Sequence, residues 1–155
     1  GIGAGHGASN VLVYNNTVVN NEMTGISWGN QGGSIVRNNI IHGNGQDFFD
    51  YNGTTITRSN NFCAASGPGC SEVGDPSFVD PEALDFRLRA DSRAIDAGFN
   101  LSGFAMTDYD RSARVQGSDI DIGAFEFGGG TPTDTQSPSV SILNPVNGST
   151  VRRLN

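Results

Sequence analysis

The sequence predicts an all-β protein built as a parallel β-solenoid of about three coils. The first observation is a repeat: paired asparagines occur at positions 15–16, 38–39 and 60–61, with periods of 23 and then 22 residues. The second is the sequence between the pairs, where short β-branched runs alternate with glycine and asparagine, as expected for strands and turns. The third is composition, since 22 glycines in 155 residues are typical of a chain with many turns and few long helices.

The predicted strands follow one another closely before the third asparagine pair. In order, they lie in the segments NVLVYNN, TVVNN, GISWGN, GSIVRNN, IIHGNG, DFFDY and TTITRSNN. Such short runs cannot form a stable hairpin sheet alone. If three strands and three turns fill one repeat of about 22 residues, each run can pair with its counterpart one repeat later. This stacking predicts parallel sheets.

The asparagine pairs are predicted to lie at one corner of successive coils. A sharp corner requires a left-handed backbone conformation, which asparagine tolerates better than most residues. Neighbouring coils lie about 4.8 Å apart, so stacked asparagine amides can hydrogen-bond from one coil to the next. The second members of the pairs, Asn16, Asn39 and Asn61, are therefore predicted to form a ladder along this corner.

The charge composition narrows the classes of partner. The chain has no lysine, and its nine arginines stand against sixteen acidic residues, which gives a net charge of −7. An acidic chain of this kind is a poor candidate for binding nucleic acid or anionic membrane surfaces. No apolar run approaches the roughly 20 residues that a membrane-spanning helix needs, so we expect no membrane insertion.

Two segments after the repeats carry a more specific pattern. They read GDPSFVDPEALDFRLRADSRAIDAGFN and TDYDRSARVQGSDIDIGAFEF, and they resemble the closing segment of secreted bacterial proteins of the right-handed parallel β-helix, pectate-lyase-like superfold. The matching positions are Asp75, Pro76, Phe78, Asp80, Pro81, Asp85, Phe86, Arg87, Leu88, Ser92, Ala94, Ile95, Asp96, Gly98, Asp121, Ile122, Gly123, Phe125 and Glu126. The resemblance covers residues 1–127. It implies a segment that caps the open end of the coils, a polysaccharide as partner, and a secreted or cell-surface location.

A dense group of charged residues lies within the second of these segments. Its members are Asp108, Asp110, Arg111, Arg114, Asp119 and Asp121. Arginine–carboxylate hydrogen bonds among them would pin the cap. Alternatively, the hard oxygen ligands Asp108 and Asp110 would suit Ca²⁺, although no EF-hand loop is present. Ca²⁺ is therefore a candidate cofactor.

The composition changes abruptly after Phe127. Residues 128–138 are rich in glycine, threonine and proline and have no apolar period, which is typical of a linker. Residues 139–155 alternate apolar and polar side chains up to an Asn-Gly turn and resemble the first strand of the immunoglobulin-like modules of secreted bacterial enzymes. A complete module needs about 100 residues, so we expect a chain that is cut at both ends, with its catalytic centre upstream.

The two cysteines, Cys63 and Cys70, flank a loop of glycine and other small residues after the third asparagine pair. There is no second cysteine cluster of the kind that binds a metal, and a flexible loop gains from closure, so we predict a disulfide between them. A structural disulfide indicates an oxidising compartment outside the cytoplasm.

Few residues are available for catalysis. His6 lies in a Gly-His-Gly sequence similar to one in pectin hydrolases, but the Arg-Ile-Lys that accompanies it there does not follow here. His42 follows the second asparagine pair, and both histidines can equally be solvated turn residues. Arg37 and Arg58 each precede an asparagine pair, so they could stack on one outer face as a catalytic base or a polyanion ladder. Arginines paired with nearby acids are the alternative.

Aromatic residues at equivalent strand positions would provide a surface on which sugar rings stack. The repeat places Trp28 and the DFFDY run, which contains Phe49 and Tyr51, on the same strand of successive coils. If Ile26 and Phe48 point inward, alternation sends Phe49 and Tyr51 outward and turns Trp28 inward. A slip of one residue reverses this assignment. Plain core and rim packing is the alternative role for these aromatic residues.

Two classes of function remain open from the sequence. One is a secreted carbohydrate-active enzyme, a lyase or a glycosidase, that acts on a polysaccharide and is monomeric in its full-length form. The other is a non-enzymatic, adhesin-like β-helix whose repeats serve as a scaffold, because this fold supports both. A cluster of catalytic residues on one sheet of upstream coils would distinguish the enzyme from the scaffold.

Overall fold

The structure, a computed structural model, describes residues 1–128 with the exception of residues 6, 30, 31, 52, 54, 55, 102, 105 and 106. The linker predicted at 128–138, apart from Gly128, and the immunoglobulin-like strand predicted at 139–155 lie outside the described residues, as does the catalytic candidate His6. The prediction of an all-β chain is confirmed for the described part, which contains strands, turns and bends but no helix.

The strands of the described part are short, as the sequence predicted. In chain order they are β1 (Ile2–Ala4), β2 (Leu12–Tyr14), β3 (Thr17–Val19), β4 (Thr24–Trp28), β5 (Ile35–Arg37), β6 (Ile40–His42), β7 (Gln46–Asp50), β8 (Thr57–Ser59), β9 (Asn61–Cys63), β10 (Cys70–Val73), β11 (Phe78–Asp80) and β12 (Asp85–Leu88). Glycines and asparagines with left-handed backbones separate many of them.

The strands form three parallel sheets and one antiparallel pair. The parallel sheets have the strand orders β1-β4-β7, β2-β5-β8 and β3-β6-β9-β10, and β11 pairs with β12. From β1 to β9, partners within a sheet are separated by one repeat, as in the aligned residues Leu12, Ile35 and Thr57, whereas β10 pairs with β9 directly after a short loop. The chain thus visits the three sheets in turn and then returns to the first. This arrangement is compatible with a β-solenoid and has the period of the asparagine pairs.

Apolar side chains fill the space between the three sheets. Ile26 and Trp28 come from the first sheet, Val13 and Val36 from the second, and Ile41 from the third. These five residues are at most 8% exposed. Because side chains alternate along a strand, burying these residues sends their direct neighbours to the outer faces of the sheets.

The asparagine pairs form the corner between the second and third sheets. The first member of each pair supplies the turn, since Asn15, Asn38 and Asn60 have left-handed backbones with φ of 52°, 58° and 52°. A left-handed backbone is costly for most residues, and asparagine is among those that adopt it most readily. The recurrence of asparagine at this position therefore has a conformational cause.

The second member of each pair forms a hydrogen-bonded ladder. The Oδ1 atom of Asn39 accepts hydrogen bonds at 3.0 Å from both the backbone N–H and the side-chain amide of Asn16. The Oδ1 atom of Asn61 accepts the same two bonds from Asn39, also at 3.0 Å. Each asparagine thus fixes the backbone of the preceding repeat, which sets the register of the neighbouring sheets.

A second ladder, which the sequence analysis missed, lies at the corner between the third sheet and the first. The Oδ1 atom of Asn44 accepts hydrogen bonds from the backbone N–H of Asn21 at 3.0 Å and from its side-chain amide at 2.7 Å. The preceding residues, Asn20 and Gly43, have left-handed backbones with φ of 54° and 67°. A search for the same period with glycine allowed in place of the first asparagine would have found this ladder.

The predicted disulfide is present between Cys63 and Cys70, whose Cα atoms lie 5.7 Å apart. It joins the end of β9 to the start of β10, and these two strands also pair in parallel. The Cys63 side of the bond is fully buried. The disulfide therefore closes the loop between β9 and β10, both of which belong to the third sheet.

Residues 75–128, called here the flanking segment, pack against the outer face of the sheet β3-β6-β9-β10. On that face Ile40 and Phe62 are aligned by the register and buried. They contact Phe78, Leu88 and Ile122 of the flanking segment. This sheet is therefore covered on both faces, which explains why β6 and β9 have adjacent buried apolar residues, Ile40–Ile41 and Phe62–Cys63.

The flanking segment also reaches back to the first repeat. The backbone N–H of Ala124 donates to Thr17 Oγ1 at 3.0 Å, and the N–H of Gly123 donates to the carbonyl oxygen of Asn38 at 2.8 Å. The resemblance had implied a cap across the open end of the coils. These contacts place the flanking segment along the side of the coils, because the apolar outer face of one sheet has to be covered.

Backbone amides bind the carboxylates of two members of the charged group in the flanking segment, Asp108 and Asp121. Both oxygens of the buried Asp108 carboxylate accept backbone N–H groups, from Ser112 at 2.7 Å and from Glu126 at 3.0 Å. Asp121 likewise accepts backbone N–H groups. Arg114 and Glu126 form a buried ion pair with a distance of 3.2 Å between Nη1 and Oε1. One arginine–carboxylate pair thus contributes where a network was expected.

Glu126 makes the stability of the chain depend on pH. Its side chain is fully buried, and burial, with the nearby charge of Asp121, raises its pKa from 4.5 to about 7. Between these values the folded state keeps a proton that the unfolded state releases, so the stabilisation is complete below pH 4.5 and is lost as the pH rises through about 7. We expect a higher Tm near pH 5 than near pH 8.

Scanning calorimetry of Glu126→Gln provides the control for this prediction. The variant keeps the size of the side chain and an oxygen that can accept from Arg114, but it does not titrate. We expect the difference in Tm between the two pH values to shrink in E126Q. A difference that is unchanged in the variant would assign the pH dependence to repulsion among the other acidic residues.

Candidate functional site

The outer face of the sheet β1-β4-β7 changes from small to aromatic residues along the repeats. The register aligns Gly3, Ser27 and Phe49 in one row across the three strands. Gly29 and Tyr51 lie two residues beyond Ser27 and Phe49, so they share the same face. The first repeat therefore presents bare backbone at this face, and the third repeat presents aromatic rings.

Phe49 and Tyr51, which together form what we call the aromatic platform, are open to solvent. Phe49 is 39% exposed and Tyr51 is 65% exposed. Their rings meet edge to face, with centroids 4.7 Å apart and an angle of 81° between the ring planes. This arrangement is favourable for an aromatic pair, and it orients each ring while leaving part of its surface accessible.

A groove of about 430 Å³ runs beside the aromatic platform. Its lining includes Tyr51, Ser27 and three glycines, Gly3, Gly5 and Gly29, which we call the glycine floor. A side chain added at Gly5 would meet no atom within 4 Å, and one added at Gly3 would meet the Ser27 hydroxyl at 3.5 Å. The space above these two glycines is therefore open, and an extended ligand can lie there with Tyr51 at its side.

Trp28, a candidate for sugar stacking, is instead part of the core. It is 2% exposed, and its ring lies 5.8 Å from that of Phe48. The guanidinium group of Arg58 lies 5.0 Å from its centroid. Trp28 follows the inward-facing Ile26 by two residues, so strand alternation turns it inward. The structure thus places Trp28 in the core and not on the exposed face where sugar stacking was predicted.

Arg37 and Arg58 do not form a ladder on one face. The register aligns Arg37 with Ser59 and Val36 with Arg58, so the two arginines are one residue out of step and point to opposite faces. Arg58 therefore lies over aromatic rings on the inner side. Arg37 points outward, where its Nε donates to Ser59 Oγ at 2.7 Å and its guanidinium stacks on Phe99 at 4.1 Å.

His42 lies on a third face, away from the aromatic platform. It lines an open cleft of about 1180 Å³ between the sheet β3-β6-β9-β10 and the β11–β12 pair. Its Nδ1 atom is buried and makes no hydrogen bond within the described part of the chain. Two acidic residues of the cleft, Asp75 and Asp80, accept backbone N–H groups in local turns. The structure thus does not bring together His42 and Arg37.

The calcium ligands suggested by the sequence are placed differently from a metal site. Both carboxylate oxygens of Asp108 are occupied by backbone N–H groups. Within the residues that the structure describes, no group of three or more His, Cys, Asp or Glu side chains could hold a metal ion. The geometry therefore gives Asp108 and Asp110 no supporting third ligand of these types.

Comparisons with protein-family models, with curated proteins and with solved structures gave no match for this chain. Across the part of the chain that the structure describes, no helix has the length and apolar character needed to cross a membrane. Since a fold alone does not define a function, the function has to be argued from the residues of the candidate site.

Proposed function

We propose that this protein is an extracytoplasmic β-helix of the pectate-lyase-like superfold that binds polysaccharide on the outer face of the sheet β1-β4-β7. The observation that carries the proposal is the exposed Phe49–Tyr51 pair beside a groove floored by glycines. The three parallel sheets support a β-helix. The disulfide between Cys63 and Cys70 supports an oxidising location.

The proposed binding mode uses the two chemical characters of a sugar ring. The apolar body of an aromatic side chain offers a large, rigid contact surface, and the tyrosine hydroxyl adds a hydrogen-bonding tip. The Ser27 hydroxyl lies between the glycine floor and the aromatic platform, and it can donate or accept a further hydrogen bond. A polymer that crosses the three strands would lie on the glycine floor and stack one ring against Tyr51 or Phe49.

The described residues of this surface are suited to binding rather than to cleavage. Elimination and hydrolysis both need a general acid or base within hydrogen-bond reach of the reacting group. The described residues that line the groove are glycine, alanine, serine and tyrosine. The catalytic candidates Arg37 and His42 lie on other faces. Binding without cleavage at this site is common to a carbohydrate-active enzyme and to an adhesin-like scaffold.

Affinity electrophoresis through gels that contain different polysaccharides tests the proposal. We expect at least one polymer to retard the chain, and Phe49→Ala to weaken this binding by about tenfold, because one stacked ring contributes on the order of 1.4 kcal/mol. The matched control is Tyr109→Ala, which removes another exposed aromatic residue, 76% exposed and paired with Phe125.

Two results would contradict the proposed function. An equal loss in Y109A would show that the effect of removing an aromatic residue is not specific to the aromatic platform. The absence of retardation by any polymer in the panel would contradict glycan binding at this face and leave the repeats with a purely structural role.

A further inference from the structure

We infer that the polysaccharide bound at the aromatic platform is a neutral glycan, without carboxylate or sulfate groups; this inference rests on the proposed function. The observation behind it is the distribution of charge around the groove. A binding site for a polyanion requires positive charges that pair with the anionic groups of each sugar. The described residues around the aromatic platform are neutral or acidic.

Most arginines in the described part of the chain make contacts outside the groove. The sequence has no lysine, and none of the described residues that line the groove is basic. Arg37 and Arg58 contact the rings of Phe99 and Trp28. The arginines that pair with acidic residues are Arg87, Arg89, Arg93 and Arg114. Among the described residues that line the groove, a carboxylate on the bound sugar would therefore find no guanidinium partner.

Negative charge lies next to the aromatic platform. Asp47 precedes Phe49 by two residues on β7, so both side chains belong to the same face of the strand. One oxygen of Asp47 accepts the backbone N–H groups of Ala64 and Ala65, at 3.0 Å and 3.4 Å, which holds the carboxylate in place. A uronate stacked on Phe49 would lie close to this like charge.

Like charges that face each other without a counter-ion reject a ligand, and this is a common basis of specificity. The hydroxyl groups of a neutral glycan carry no such penalty, since they can hydrogen-bond to water, to Ser27 and to the tyrosine hydroxyl. The net charge of −7 adds a longer-range repulsion that acts on the approach of any polyanion. The contacts at the aromatic platform and the net charge of the chain therefore both favour a neutral glycan over an anionic one.

The experiment compares each polymer that binds with its own oxidised derivative. Oxidation of the C6 hydroxyls to carboxylates adds charge while the linkage of the backbone is kept. We expect the oxidised polymer to bind at least about tenfold more weakly, and added NaCl to recover part of the binding, because salt screens the repulsion. Polygalacturonate serves as a polymer that is anionic from the start and should not retard the chain.

Ser27→Arg tests the same inference from the protein side. This variant places a guanidinium group in the row that contains Phe49, and Ser27→Gln is the matched control with a long neutral side chain. We expect S27R to strengthen binding of the oxidised polymer by about tenfold and S27Q to leave it weak. Circular dichroism and the melting temperature of both variants, compared with those of the unchanged chain, show whether they are folded.

The outcomes separate this inference from the proposed function. Equal or tighter binding of the oxidised polymer, or retardation by polygalacturonate alone, overturns the inference but leaves polysaccharide binding in place. An S27R variant that is folded and gains nothing for the oxidised polymer also overturns it. The absence of binding to every polymer, neutral and anionic, overturns the proposed function itself.

Discussion

Asn39→Ala is expected to lower the free energy of unfolding by about 3 to 5 kcal/mol. Asn39 is fully buried. Its side-chain amide donates to the carbonyl oxygens of Val13 at 2.9 Å and Arg37 at 3.0 Å, and its Oδ1 atom accepts both bonds from Asn16. Alanine would leave several buried groups without a partner, at about 1 to 3 kcal/mol each. Urea denaturation followed by circular dichroism measures the loss.

Asn16→Ala is the matched control for the ladder. Asn16 is partly exposed and accepts no ladder bond comparable to those that Asn39 accepts, while its amide donates to the Tyr14 carbonyl at 2.8 Å and to Asn39. We expect N16A to lower the free energy of unfolding by about 1 to 2 kcal/mol, because water can replace part of the hydrogen bonding that is removed. If N39A costs no more than N16A, the central asparagine does not hold the repeats together.

Phe62→Ala is expected to lower the free energy of unfolding by about 3 to 5 kcal/mol, as for other large buried aromatic residues. Phe62 is fully buried on the outer face of its sheet, where it packs with Phe78, Leu88 and Ile122 of the flanking segment. Alanine would leave a cavity between the sheet and this segment. We therefore expect trypsin, which cleaves after arginine, to cut the flanking segment faster in F62A than in the unchanged chain.

Phe104→Ala is the control for this second prediction. Phe104 is 69% exposed and contacts Tyr14 edge to face, with ring centroids 5.9 Å apart. We expect it to change stability by less than about 1 kcal/mol. Equal effects of F62A and F104A on unfolding and on proteolysis would contradict the burial of the outer face by the flanking segment.

The repeat was readable from the sequence because its cause is local. A left-handed corner selects asparagine at Asn15, Asn38 and Asn60 whatever the rest of the chain does, and the period of the pairs gives the pairing of strands. The alternation around Phe49 was readable for the same reason, since one inward residue on a short strand fixes the direction of its neighbours. These signals predicted the parallel sheets and the outward direction of the aromatic platform.

The errors came from features that the sequence fixes only through the register. Arg37 and Arg58 are separated by almost one repeat, yet a difference of one residue sends them to opposite faces. The position of the flanking segment depends on contacts such as that between Gly123 and Asn38, which are far apart in sequence. The resemblance suggested a cap, and nothing local in these residues distinguishes a cap from a lateral layer.

The groove was also not predicted, because it arises where side chains are absent. Gly3, Gly5 and Gly29 form a floor by having no side chains, and a glycine in a turn-rich sequence gives no signal of its own. Only the alignment of Gly3 with Ser27 and Phe49 across three strands shows that small residues lie beside aromatic ones. The sequence thus predicted the aromatic residues of the site but not the space next to them.

An NMR titration locates the glycan-binding surface residue by residue. The ¹⁵N-labelled chain would be titrated with a short oligosaccharide prepared from the neutral polymer that retards it most strongly. If the glycan binds on the sheet β1-β4-β7, the chemical-shift changes will be concentrated on Gly3, Ser27, Gly29, Phe49 and Tyr51. We expect these changes to disappear in F49A. Changes concentrated instead around His42 and Asp80, in the cleft beside the flanking segment, would contradict a glycan-binding site on the sheet β1-β4-β7.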